Sequence, residues 1–190
     1  MATKVKSTNT ELTVDEFLLS YIGKPKTKYE LEDGHIIKMA AETVRHALIK
    51  SNIGYAIKAA IAKAKLPCKT FVDGVSIKVD QKTSRIPDVV VQCGGKLEFD
   101  GKLLDSPIIV VEVVSPSSDY RDSHVKFIEY FSLASISHYL TIAPQERLVL
   151  NHQRSVGDKI LTKIIRDGKI DFLPPGFSIS HDSIFEGVSI

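Results

Sequence analysis

Apolar residues recur at two different spacings along this chain, and each change of spacing marks a new element. Residues 12–21, LTVDEFLLSY, follow helical spacing; Thr13 can cap that helix and Glu16 completes a capping box. Residues 29–39, YELEDGHIIKM, read as a β-hairpin turning at Asp33-Gly34. Residues 43–65 form the longest predicted helix. Ile49, Ile53, Ile57, Ala60 and Ala64 make its apolar stripe, and Pro67 ends it. Strands follow at 75–79, 88–92 and 108–114, all rich in β-branched residues, with a loop at 93–107 joining the last two. A helix over about 120–134 carries Val125, Ile128 and Phe131 on one side. Strands 138–143, 146–152 and 159–166 come next, with turns at Pro144-Gln145 and Asp167-Gly168. The tail 172–186 shows no clear period until its end. This order predicts an α/β sandwich, one mixed β-sheet flanked by helices, with an N-terminal hairpin and a C-terminal hairpin.

Two acids break this pattern. Asp88 opens the run DVVVQ after Pro87, and Glu112 lies deep in IIVVEVV. A carboxylate in an apolar strand must be neutralised, paired or bound to a metal. Side chains alternate along a strand, so Glu112 shares a face with Val110 and Val114, and Asp88 with Val90. If the two strands pair antiparallel across 93–107, both acids fall on one face. Two such oxygen ligands suit Mg²⁺ or Mn²⁺. The competing reading puts each acid at a strand end, solvated or in a salt bridge.

Nearby residues carry the same double reading. Lys126 projects with Tyr130 and Leu133 beside the apolar face of its helix. It either reaches back to the sheet, where its ammonium steadies a water or phosphate charge, or lies along the surface. His46, in the first turn of the long helix, lines up with Ile53, Ile57 and Ala64. It points inward, as a core residue or as a ligand or base. Glu30 alternates with Leu31 and is free to face either way. Arg85 is either a phosphate clamp or a solvated loop charge.

Composition narrows the classes. The chain has 190 residues, 43% hydrophobic and 25% charged, with a net charge of +2 and a pI near 8.4. That balance is too mild to indicate nucleic acid by itself. The opening MATKVKST reads as a frayed terminus without an apolar signal segment, and no apolar run is long enough to span a membrane. Cys68 and Cys93, with no CxxC, read as two reduced thiols of a cytosolic protein. The phosphate-binding, dinucleotide-binding, nucleophile-elbow and HExxH motifs are all missing.

Taken in order, YELEDGHIIKMA, a histidine opening a long helix, RIPDVVV, IIVVEVVSPSS, DSHVK and LPPGFSI resemble the Uma2 (DUF820) family of the PD-(D/E)XK nuclease superfamily. The resemblance covers about residues 12–186. It implies a restriction-endonuclease-like core: a flexible N-terminus over 1–11, then a single nuclease-like domain over 12–190. It matches Asp88 and Glu112 to the two metal ligands and adds Glu30 as a further metal contact. Val114 stands where the usual lysine would be, and Lys126 matches the family's displaced lysine. His46 matches the family's helix-opening histidine and joins the catalytic set. Two stretches, MAAETVRH and ASISHYL, depart from the family pattern outside the metal constellation.

The activity so implied is a cytoplasmic, Mg²⁺-dependent endodeoxyribonuclease, with Mn²⁺ as substitute. Its partner is double-stranded DNA, and analogy with enzymes that cut both strands implies a homodimer. Lys24, Lys26, Lys28, Lys96, Lys102 and Arg121 are the expected backbone contacts. The alternatives are a catalytically silent nuclease-fold module that binds nucleic acid, and a hydrolase of small phosphate esters.

Overall fold

A computed structural model describes residues 3–4, 11–21, 27–114, 120–157 and 159–189, with the side chains of 3–4 and 120–122 outside the description. Its helices are α1 (Val14–Ser20), α2 (Val44–Lys63), α3 (Tyr120–Ser132) and α4 (His181–Ile184). Its strands are β1 (Thr3–Lys4), β2 (Tyr29–Glu32), β3 (His35–Lys38), β4 (Cys68–Val72), β5 (Ser76–Lys78), β6 (Ser84–Arg85) and β7 (Val89–Cys93). They continue with β8 (Leu103–Leu104), β9 (Pro107–Val113), β10 (His138–Ala143), β11 (Leu148–Arg154), β12 (Ile160–Ile165), β13 (Lys169–Phe172) and β14 (Phe177–Ser180).

Local chemistry sets the early elements as expected. The Thr13 backbone N–H donates to Glu16 Oε2 at 2.8 Å and the Glu16 N–H donates to Thr13 Oγ1 at 3.4 Å, closing the capping box of α1. Asp33 and Gly34 both take positive φ, 46° and 74°, as a two-residue hairpin turn requires. Thr43 caps α2 by accepting from the His46 N–H at 3.2 Å.

The core sheet is mixed and runs in the order β12-β11-β10-β9-β7-β4. β9 and β10 are parallel; the other neighbours in this sheet are antiparallel. One face, through Val89, Val91, Ile109 and Val111, packs on Ile49, Ile53 and Ile57 of α2 and on the β13–β14 hairpin. The other face, through Val90, Val110 and Tyr139, packs on Tyr130 of α3. β9 is therefore covered on both sides, which is why its sequence is apolar apart from Glu112. At Gly54, α2 comes so close to the sheet that an added Cβ would lie 2.4 Å from Val72 Cγ2.

Several expectations change. The predicted single sheet is joined by a second six-stranded sheet, β1-β3-β2-β6-β5-β8, and by the β13–β14 pair. The strand expected at 75–79 belongs to this second sheet. β4, not foreseen, takes the edge beside β7. Part of the tail 172–186 pairs with β13 through β14, around Gly176 at φ 114°. α3 is turned relative to its apolar stripe: Val125 and Ile128 face solvent, while Phe127 and Tyr130 face the core. Phe127 and Tyr130 pack inward on the same side that brings Lys126 and Glu129 to their ionic partners.

Cys68 and Cys93 were expected as thiols. They are directly opposite in the β4–β7 register and form a disulfide. Within the segment expected to be flexible, 1–11, Thr3–Lys4 pairs with β3 and Glu11 forms a 2.6 Å ion pair with Lys82; residues 1–2 and 5–10 lie outside those described. Among the described residues, no helix is long and apolar enough to cross a membrane.

Candidate active site

The site forms where β7 and β9 reach the same end of the core sheet. Val89 pairs with Val111 and Val90 with Val110. Carrying that register one residue further sets Asp88 opposite Glu112, on the face of Val90 and Val110. Both acids are 9% exposed. Asp88 Oδ2 accepts the Val113 N–H at 2.7 Å, where the β7 ladder has ended. Like charges placed opposite each other in a sheet repel, so this pairing needs compensation from nearby.

Two helices supply it. On α3, Lys126 Nζ lies 3.3 Å from Glu112 Oε1, and the Tyr130 hydroxyl donates to the same oxygen at 2.7 Å. Four residues apart, the two side chains share one helix face. On α2, His46 Nε2 lies 2.9 Å from Asp88 Oδ1, and Lys50 Nζ lies 3.8 Å from it.

Burial pushes the Glu112 carboxyl up most strongly. Lys126 opposes that, the Asp88 and Glu30 charges add to it, and the result is about 7. Burial would lower the His46 pKa, but the hydrogen bond and charge of Asp88, with Glu42, raise it. Burial and the Glu112 charge hold the Tyr130 hydroxyl protonated, so it is a donor.

The remaining sequence candidates are placed differently from one another. Glu30, on β2, is buried with both oxygens engaged: Oε1 accepts the Ile86 N–H at 2.9 Å, and Oε2 meets Arg85 Nη1 at 3.3 Å. Its Oε1 also lies 3.9 Å from Lys126 Nζ. Glu30 thus stands behind Lys126, with each of its oxygens already accepting a hydrogen bond. Arg85 is neither a solvated charge nor a phosphate clamp. It is 1% exposed and forks onto Glu129 at 2.7 and 2.8 Å, with Nη1 also 2.9 Å from Glu32.

Of the expected DNA contacts, Lys28 pairs with Glu42 and Asp73, Lys96 with Glu98, and Lys102 Nζ donates to the Leu18 carbonyl at 3.2 Å. Lys24, Lys26 and the Arg121 side chain lie outside the described residues.

Sequence reasoning missed Glu42, Lys50, Asp73, Glu129 and the role of Tyr130. Glu42 oxygen, His46 nitrogen and Asp88 oxygen lie within 4.8 Å of one another, a group able to hold a metal ion. Lys50 bridges Glu42 and Asp73, at 3.2 Å from the latter. A signal for Lys50 existed: it sits one turn after His46, in step with Gly54 and Ile57 on the buried side of α2.

With this geometry in view, similarity to known proteins defines the class. The sequence model of the Uma2 family, described as "putative restriction endonuclease", matches residues 14–186, and the chain belongs to that family. A crystal structure from Anabaena variabilis, described as a "putative nuclease belonging to DUF820", shares the fold. It superposes with a TM-score of 0.74 at 18% identity, covering 92% of this chain and 98% of that one. An uncharacterized protein of Synechocystis sp. is 23% identical over 190 residues, 94% of each chain.

Proposed function

We propose that this chain is a metal-dependent endonuclease that hydrolyses phosphodiester bonds in double-stranded DNA, with 12–190 acting as one domain. One observation carries the reading. Two buried carboxylates from adjacent strands stand opposite each other, and a helix lysine reaches one of them.

A divalent cation suits this arrangement. The Glu112 carboxyl is pushed to about 7 by burial and by its anionic neighbours, a condition that a bound cation relieves. The oxygens of Asp88 and Glu112 are hard donors suited to Mg²⁺, with Mn²⁺ as substitute. Such an ion supplies Lewis-acid activation of water and of a phosphate oxygen.

The chain's own residues do the rest. His46 donates to Asp88 and fixes the direction of its carboxylate, as second-layer partners of metal ligands do. Tyr130 holds one oxygen of Glu112. Lys126 presents an ammonium where charge grows on the scissile phosphate or where an attacking water needs orienting. Glu30 serves as the second anion beside Lys126. Analogy with enzymes that cut both strands, one site on each, favours a homodimer.

Cleavage of supercoiled plasmid with Mg²⁺ or Mn²⁺ tests this reading. The wild-type protein should cut, and Asp88→Ala, Glu112→Ala and Lys126→Ala should each lose about 100-fold or more. Unchanged cleavage by all three variants refutes the assignment. A wild-type protein that binds duplex but cuts it with neither metal supports the silent binding module instead.

A further inference from the structure

We propose that Arg85 is the positioning residue of the Lys126–Glu112 pair, acting through Glu129 on α3 and Glu30 on β2. The proposal rests on the nuclease reading above and adds to it a residue that touches neither substrate nor metal.

Arg85 is the largest fully buried side chain among the described residues. Within that set its guanidinium donates four hydrogen bonds to carboxylates: two to Glu129, one to Glu30 and one to Glu32. Burying this many charges contributes little net stability, because well-packed apolar residues usually do as well or better. A planar fork does set direction and distance, which an apolar contact does not.

The places it reaches are telling. Glu129 follows Lys126 by three residues and directly precedes Tyr130, and both of these end on Glu112 Oε1. Gripping Glu129 at two points therefore fixes the rotation and height of the helix turn that delivers Lys126. Glu30, held by the same guanidinium, lies 3.9 Å from Lys126 Nζ. Arg85 also belongs to β6, which leads through Ile86-Pro87 into Asp88. One side chain thus ties the strand that delivers Asp88 to the helix that delivers Lys126. The turned orientation of α3, with Val125 and Ile128 exposed and Phe127 and Tyr130 packed inward, places Glu129 within this grip.

The test uses the full chain as R85K, E129Q and the double variant. R85K keeps the positive charge but loses the fork; E129Q keeps the shape but loses the charge. Three quantities are measured: cleavage of a duplex with Mn²⁺, acylation rates of individual lysines by mass spectrometry, and melting temperature.

Positioning predicts that kcat falls about 100-fold in each single variant. KM should stay within about twofold, since no binding contact is removed. The double variant should be no worse than the worse single, because one grip is lost in all three. Lys126 acylation should rise roughly tenfold as its helix turn loosens, while Lys50, buried on α2, is unchanged.

Folded variants with wild-type kcat and wild-type Lys126 labelling overturn the proposal. So does a parallel rise at Lys126 and Lys50, which marks general loosening. If the wild-type protein cuts nothing, the nuclease reading fails separately, and the ratio of Lys126 to Lys50 labelling still decides the role of Arg85.

Discussion

Replacing Glu112 by glutamine should make the metal-free protein more stable, and more so as pH rises. Glutamine keeps the volume of the side chain and mimics the neutral acid. In the native protein the carboxyl holds its proton to about 7, against an ordinary 4.5, because burial, Asp88 and Glu30 outweigh Lys126 and Tyr130. The unfolded chain gives up that proton near 4.5. Between 4.5 and 7 the unfolded state binds fewer protons, so wild-type stability falls as pH rises through that window. At about 1.4 kcal/mol for each pH unit, a rise from 4.5 to about 7 amounts to about 3 kcal/mol. For a chain of this size that is roughly 6–12 °C in melting temperature. Urea unfolding of wild type and Glu112→Gln in EDTA, at pH 4.5 and pH 8, reads the difference directly. The stability advantage of the variant should be small at the lower pH and near its full value at the higher. An advantage equal at both pH values, or smaller at pH 8, refutes the reasoning. A confirmed advantage would mean that this glutamate stays in the strand at the expense of stability, as expected of a group kept for binding or catalysis.

Further predictions concern the scaffold. Gly54→Ala places a Cβ 2.4 Å from Val72 Cγ2 and should cost about 1–3 kcal/mol, with Val72→Ala restoring much of it in the double variant, as read by denaturant titration. His138 is buried and burial holds its pKa below the ordinary 6.5, so protonation favours the unfolded chain. Wild type should therefore lose stability relative to His138→Gln as pH falls below about 6.5, and a gap that does not change with pH contradicts this. The Cys68–Cys93 disulfide closes a loop with a sequence separation of 25 residues that contains Asp73, Arg85 and Asp88, so reduction should lower stability by about 3 kcal/mol. An unchanged melting curve in dithiothreitol argues against the bond.

How much of this could be read from the chain depended on the range of the interactions. Asp88 and Glu112 were legible because each interrupts an apolar run, and strand alternation fixed their faces. For Lys126 the helix face shared with Tyr130 leaves both a reach to the sheet and a surface position open, and only the resemblance to the family's displaced lysine selects the first. Arg85 was not legible: in sequence it is one basic residue beside Pro87, and the carboxylates that bury it lie 44, 53 and 55 positions away. The orientation of α3 was misread for the same reason. Periodicity counts Val125 and Ile128 as core, while Phe127 and Tyr130 pack inward on the side where Lys126 and Glu129 meet ionic partners from across the fold. β4 is brief, and Cys68 is its buried residue, so it lacks the apolar alternation of a core strand; pairing with β7 and the approach of Gly54 define it. Lys50 joins the site through Asp73 and Asp88, and Glu42 joins it through Lys50; helix spacing puts Lys50 on the buried side of α2 but does not encode these partners.

Asp88 and Glu112 are proposed to hold one divalent cation. Anomalous diffraction from crystals grown with Mn²⁺ and a short duplex tests it most directly. A single-ion peak is expected at about 2.1 Å from oxygens of both Asp88 and Glu112, lost in Glu112→Gln. A peak bound by Glu42 and His46 with Glu112 uninvolved, or one that persists unchanged in Glu112→Gln, would contradict it.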